Sequence, residues 1–159
     1  MNSEVRQGIE EVVCDVIEIF GFMFGDPADP GGEELIEPGD AVSAEVFFEG
    51  AASGRLEVYT SLDAAKEMSC NLLGLDEADN QQGLDTLQEL VNQFCGQLLT
   101  TLAGTEPTFT LGIPVARRAE RQEWNAALGD GATLCFVMDG EHPLLLRLES
   151  EGLEGGPLS

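Results

Sequence analysis

An α+β fold is what this sequence predicts, with a largely antiparallel sheet of hairpins packed against long amphipathic helices. Three observations lead there. Long runs of the chain carry apolar residues at helical spacing. Shorter runs alternate apolar and polar residues, as half-buried strands do. Those shorter runs come in pairs joined by Gly-rich turns, which makes hairpins rather than parallel crossovers.

The first helix is expected from about Glu4 to Phe20, where Val5, Ile9, Val12, Val13, Val16, Ile17 and Phe20 share one side. Ser3 is placed to cap it, and Gly21 and Gly25 mark its end. Residues 25–40 hold Pro27, Pro30, Gly31, Gly32, Pro38 and Gly39 and read as a loop. Asp26, Asp29, Glu33 and Glu34 crowd into it. Their oxygens would suit calcium, but the spacing matches no EF-hand loop, and a solvated acidic loop is the simpler reading. Val42 to Phe48 and Arg55 to Thr60 alternate as strands around the turn at Gly50 to Gly54. Ser61 and Asp63 open a helix from Leu62 to Leu73, and Gly74 ends it.

After a polar connection from Asp76 to Gln82, the longest helix is expected from Gly83 or Leu84 to Leu102. A strand follows at Thr108 to Leu111, with Pro114 beyond it. Arg117, Arg118 and Arg121 form the one basic cluster, in a stretch read as irregular or helical through Leu128. Trp124 is expected to anchor that loop from beneath. Ala132 to Met138 and Leu144 to Glu149 make a last hairpin around Asp139-Gly140-Glu141-His142-Pro143. This gives a single domain over residues 1–150 and a Gly- and Glu-rich tail, 151–159, expected to be disordered.

The composition narrows the function. Among 159 residues, 7 are basic and 30 acidic, for a net charge of −23. Nucleic acid and anionic membranes need clustered Lys and Arg, so neither is an expected partner. Lys66 is the only Lys. No stretch is apolar for long enough to cross a membrane, and the polar, acidic start lacks the features of a signal peptide. Cys14, Cys70, Cys95 and Cys135 are far apart, sit in apolar runs, and read as buried free thiols of a cytoplasmic protein rather than as disulfides or metal ligands. His142 has no nucleophile motif to serve, and no phosphate-binding loop or zinc spacing occurs. The acidity fits either ordinary solubility or a salt-rich habitat.

The long helix carries the strongest candidate site. On a helical wheel Leu87, Leu90, Val91, Phe94, Leu98 and Leu102 converge on one side, which must face the core. Opposite them, within roughly a 60° sector, lie Asp85, Glu89, Asn92 and Gly96, and Thr100 extends the line. Glu89 and Asn92 are three apart, so a carboxylate and a carboxamide project side by side, their Cβ atoms about 5–6 Å apart. Gly96 leaves a notch one turn on, where another backbone can approach. A polar helix face of this kind is ordinary taken alone.

The stretch Asp85-Thr86-Leu87-Gln88-Glu89-Leu90-Val91-Asn92 resembles the D/S-x-x-x-E-x-x-N signature of the CheC, CheX and FliY chemotaxis phosphatases. In that family a proline follows some way after the Asn, and Pro114, in Thr110-Leu111-Gly112-Ile113-Pro114, stands at a matching place. The resemblance spans about Met1 to Glu149 and includes the element order. CheC-type members carry two such sites; here the first helix reads Glu10-Glu11-Val12-Val13 and Glu18-Ile19-Phe20-Gly21, without E-x-x-N, so the chain looks like a one-site CheX. It is too short for the added domain of FliY types.

The resemblance implies a phosphatase that acts on the aspartyl phosphate of a CheY-like response regulator. It implies that Asn92 holds the attacking water and that Glu89 pairs with the regulator's Lys, with Asp85 and Gly96 bordering the contact. It also implies that Mg²⁺ is supplied by the regulator, with no cofactor of this chain's own, and a homodimer formed by sheet extension. The alternative is a CheX-like binding or dimerisation module without catalysis, which would use the same face but not need the carboxamide of Asn92.

Overall fold

The computed structural model describes residues 3–32, 35 and 38–151. In chain order the elements are α1 (Ser3–Gly21), β1 (Gly25–Pro27), β2 (Ala41–Gly50), β3 (Ser53–Ser61), α2 (Leu62–Leu73), α3 (Asn80–Ala103), β4 (Phe109–Leu111), β5 (Val115–Ala119), α4 (Arg121–Gly129), β6 (Leu134–Met138) and β7 (His142–Glu151). The strands form one antiparallel sheet in the order β1-β6-β7-β3-β2-β4, with β5 pairing β2 further along the same edge. This is the α+β architecture that the hairpin pattern predicts.

The sheet has two unlike faces. Val42, Ala44, Val46 and Phe48 of β2 alternate onto one face with Leu56 and Val58 of β3 and Leu144 and Leu146 of β7. The apolar sides of α1, α2 and α3 cover that face and close the main core. On the other face, α4 lays Trp124 against Tyr59, edge to face with ring centroids 6.5 Å apart, in a second cluster with Leu35, Cys135 and Leu145. Trp124 is buried, as expected of an anchor, but it holds helix α4 to the sheet rather than a loop.

The rest of this outer face is a charge network. Glu45 lies directly opposite Glu57 across β2 and β3, an arrangement that repels. Arg55 relieves it, reaching Glu45 at 3.2 Å, Glu57 at 3.7 Å and Glu149 at 3.2 Å. Arg147 adds contacts to Glu57 at 2.9 Å and Asp130 at 2.6 Å. Tyr59, beside Glu57, has its hydroxyl pushed up to about 12 by burial first and by that carboxylate second.

Several boundaries differ from those the sequence suggests. Ser3 is already inside α1 rather than its cap. Residues Gly25–Pro27, expected as loop, add a short strand to β6, held by the clamp of Phe24 and Asp139. Helix α3 starts earlier than expected, at Asn80, because Asp79 caps it: Asp79 Oδ1 accepts from the Gln82 amide at 2.8 Å, and the Gln82 side chain accepts in return from the Asp79 amide at 2.9 Å. Residues Val115–Ala119, expected as irregular or helical, are strand β5 paired with Ala41–Glu45. His142 and Pro143 belong to β7, so the hairpin turn is the shorter Asp139-Gly140-Glu141. Strand β7 continues through Glu151, past the expected domain limit, and the rest of the expected tail, with Glu33 and Glu34 of the acidic loop, lies outside the described residues.

Candidate functional site on helix α3

Helix α3 is fixed from three sides, which is what makes its outer face a rigid platform. Leu87, Leu90, Val91, Phe94 and Leu98 are buried in the core. Helix α2 packs along it, with the Gly83 position close against Lys66. Helix α1 and strands β2, β3 and β5 pack against it as well.

The face opposite the core carries the predicted residues in the predicted order. Asp85 and Glu89 are exposed, and Asn92 and Gly96 are half-buried. Asp85 Oδ1 accepts a hydrogen bond from Gln81 Nε2 at 2.8 Å, one turn earlier. Glu89 has no ion pair among the described residues, in a molecule where Arg6, Arg55, Arg117, Arg118 and Arg147 are each engaged by carboxylates. A Cβ added at Gly96 would meet nothing within 4 Å, so the notch is open space. The Thr100 hydroxyl donates to the Gly96 carbonyl at 3.0 Å and leaves that space clear.

Asn92 stands apart. Its Oδ1 is shielded from solvent and has no hydrogen-bond partner, while its amide nitrogen is not shielded in this way. A buried acceptor left unpaired costs about 1–3 kcal/mol. Ser69, Trp124 and Thr133 carry shielded side-chain atoms without a partner as well, so what marks Asn92 is this oxygen together with its place on the face beside Glu89.

The remaining candidates divide. Pro114 sits where the sheet edge breaks between β4 and β5, beside Gly112, whose amide donates to the Phe47 carbonyl at 2.7 Å. The break throws Ile113 into solvent, 89 % exposed, a feature no local pattern announces. His142 Nε2 is held at 2.9 Å from Glu67 and 3.3 Å from Glu141. Arg117 is bound by Glu123, and Arg118 by Asp40 at 2.9 Å, so the basic cluster is partly neutralised by the chain itself. All four cysteines are free, with Cys95 and Cys135 buried and Cys14 and Cys70 half-buried. Burial pushes the thiols of Cys14 and Cys95 up to about 11, which keeps them protonated and unreactive at neutral pH. A cleft of about 650 Å³ lies at the α2–α3 connection, lined by Lys66, Glu67, Cys70, Asn71, Asp76, Glu77 and Ala78, and shares no residue with the α3 face. The described residues contain no group of His, Cys, Asp or Glu that would hold a metal. No helix among them is long and apolar enough to cross a membrane.

The family model described as chemotaxis phosphatase CheX matches residues 42–136, which include β2 through α3 and the whole candidate face. The chain belongs to the CheX family. No curated protein matches it. Among solved structures, a CheX from Vibrio vulnificus aligns with a TM-score of 0.65 at 18 % identity, covering 94 % of this chain and 97 % of that one. A CheX from Desulfovibrio desulfuricans aligns at 0.64 and 18 %, covering 92 % and 99 %. The CheX of a CheX–CheY–BeF3–Mg²⁺ complex from Borrelia burgdorferi aligns at 0.62 and 16 %, covering 91 % and 97 %. At these identities the structures establish a shared fold, and the CheX family match is what ties the chain to chemotaxis phosphatases.

Proposed function

We propose that this CheX-family chain removes the phosphoryl group from the aspartyl phosphate of a CheY-like response regulator. One observation carries the reading: a carboxamide with an unpaired, shielded oxygen, Asn92, held on a rigid helix face beside an unpaired carboxylate, Glu89. An aspartyl phosphate leaves as a carboxylate and needs no strong general acid. Hydrolysis then depends on an in-line water and on neutralised phosphoryl charge. The regulator brings Mg²⁺ and a Lys for the charge. Asn92 enters the regulator's site with its unshielded amide nitrogen foremost and orients the water, its Oδ1 coming into reach once the carboxamide turns out of the helix face, so that the group both donates and accepts. The gain is positional, because a diffusing water becomes a fixed one.

Glu89 pairs with the regulator's Lys and sets the register of docking through a charge-assisted contact. Asp85, steadied by Gln81, and the open notch at Gly96 border the contact and let the partner's backbone close in. Two copies join by sheet extension along the β4–β5 edge, where Ile113 and Val115 stand exposed. The protein works in the cytoplasm, where its regulator is.

The test uses a CheY-like regulator phosphorylated by a small-molecule donor with Mg²⁺ present, followed by loss of the phosphoryl group. Wild-type protein accelerates the loss, Asn92→Ala abolishes the acceleration while still binding, and Glu89→Ala weakens binding. No acceleration by wild type across regulators that do bind would make the chain a docking module instead.

A further inference from the structure

A second surface lies at the end of the helical layer where α1 and α2 finish. Ile19, Phe22 and Phe24 are 77, 63 and 71 % exposed, and Leu73 is 60 % exposed. The two groups are brought together by Asn71, whose Nδ2 donates to the Gly21 carbonyl at 3.0 Å; Phe22 follows Gly21, and Leu72 and Leu73 follow Asn71. Clustered, outward-facing aromatic side chains of this kind mark contact sites rather than ordinary surface.

The patch is built, not frayed. Met23 is buried between the two phenylalanines and pins them outward. The Phe24 amide donates to Asp139 Oδ1 at 2.8 Å, and the Asp139 amide donates back to the Phe24 carbonyl at 2.7 Å, across 115 positions of sequence. Phe22 has φ +54°, a left-handed conformation that a bulky side chain resists. Strain of that kind persists where the surrounding structure imposes it, and it gathers at functional sites.

The charge around the patch says what covers it. Glu18 and Asp26 flank the phenylalanines in sequence, Asp139 comes from the β6–β7 turn, and Glu67 of α2 and Glu141 of that turn stand around His142. No Lys or Arg occurs between Arg6 and Arg55 or between Lys66 and Arg117. A second copy would bring an equally acidic rim against this one, in a chain of charge −23. An added strand would have to pair with β1, which is three residues long and ends in Pro27, a residue with no amide to donate.

We propose that this end of the helical layer docks a basic segment of a partner protein, its apolar side chains seated on Ile19, Phe22, Phe24 and Leu73 and its Lys or Arg side chains on the carboxylate rim. The surface uses neither Glu89 nor Asn92, so the proposal stands or falls independently of the phosphatase reading.

The test measures fluorescence anisotropy of a labelled helical peptide carrying Leu on one face and Lys on the other, titrated with the full chain. Wild type binds it, and Phe22→Ser/Phe24→Ser, which leaves the charge unchanged, weakens binding about tenfold or more. The charge variant Glu18→Lys/Asp26→Lys removes no packed side chain, and it weakens binding as well, so the proposal is testable even if the Phe variant folds poorly. Regulator dephosphorylation by both variants stays at the wild-type level. Equal binding by wild type and the Phe variant, or equal binding of a peptide with Leu replaced by Ser, would reduce the effect to bulk charge and overturn the proposal. It would equally fall if wild type bound phosphatidylcholine vesicles, or dimerised in sedimentation, through Phe22 and Phe24.

Discussion

Replacing Asn92 by Ala removes a shielded acceptor that has no donor, at a site whose helix would gain from the change. Alanine is a better helix former than asparagine by a few tenths of a kcal/mol, and the unpaired oxygen costs more than that. Asn92→Ala is therefore expected to raise stability by about 1 kcal/mol, read from the urea midpoint at constant slope. The same variant should lose on the order of a hundredfold in regulator dephosphorylation, the scale of a misplaced reacting group. A loss of stability together with activity would make Asn92 a structural residue. Gly96 gives a matched case on the same face. With open space where its Cβ would stand, Gly96→Ala should stabilise α3 by roughly 0.5–1 kcal/mol, yet raise the regulator concentration needed for half-maximal rate, because the notch is filled. Unchanged regulator affinity would separate Gly96 from the contact.

At the scale of elements, what was legible in the sequence is what is locally determined. Helix α2 runs from Leu62 to Leu73 as its pattern says, because both ends are written beside it. The Ser61 hydroxyl accepts from the Ala64 amide at 3.0 Å, and Gly74 closes the helix in the left-handed region at φ 66°. The apolar stripe of α3 likewise forces Asp85, Glu89, Asn92 and Gly96 to its far side, so the candidate face follows from local spacing alone. Strand β5 was not legible: Arg117-Arg118 looks nothing like a strand, and pairing with β2 makes it one. Strand β1 was hidden for the same reason, since its partner β6 lies near the other end of the chain. The exposure of Phe22 and Phe24 was not legible either, since the clamp that holds this segment joins Phe24 to Asp139 from the other end of the chain. Non-local fit also sets a sharp test of the sheet. A Cβ at Gly54 would lie 2.1 Å from the Glu149 carbonyl oxygen and 2.8 Å from Ser150 Cα, both backbone atoms that cannot move aside without unpairing β3 from β7. Gly54→Ala should cost about 3 kcal/mol or more in urea unfolding, whereas Gly74, equally a glycine, meets nothing within 4 Å and is constrained by its φ alone.

On the scale of the whole molecule, the composition gave the charge but not its partition. Arg55, Arg117 and Arg147 are spent on the outer sheet face and its edge, leaving the helical layer with Arg6 and Lys66 against the carboxylates of α1, α2 and α3. Self-repulsion of that layer should make stability depend on salt. At about 0.01 M the Debye length is about 30 Å, longer than the separations within the layer, and at about 1 M it is about 3 Å. The melting temperature should therefore rise with salt at pH 7, even though the ion pairs of the outer face weaken. Acid acts on two paired carboxylates: the Arg117 guanidinium holds Glu123 below the usual range, and the Ala132 amide and then Arg147 hold Asp130 below it. A carboxyl depressed in the folded state contributes stability that is present above its unfolded value, about 4, and lost as pH falls through the folded one. At low salt, then, the melting temperature should drop as pH falls below about 4, where Glu123 and Asp130 lose their charge and release Arg117 and Arg147, and the drop should be smaller at about 1 M salt, where these pairs are already screened. A calorimetric series over that pH range at the two salt concentrations checks it. A melting temperature that does not rise with salt at pH 7 would mean that the ion-pair network, not the repulsion of the helical layer, governs how this acidic fold responds to its surroundings.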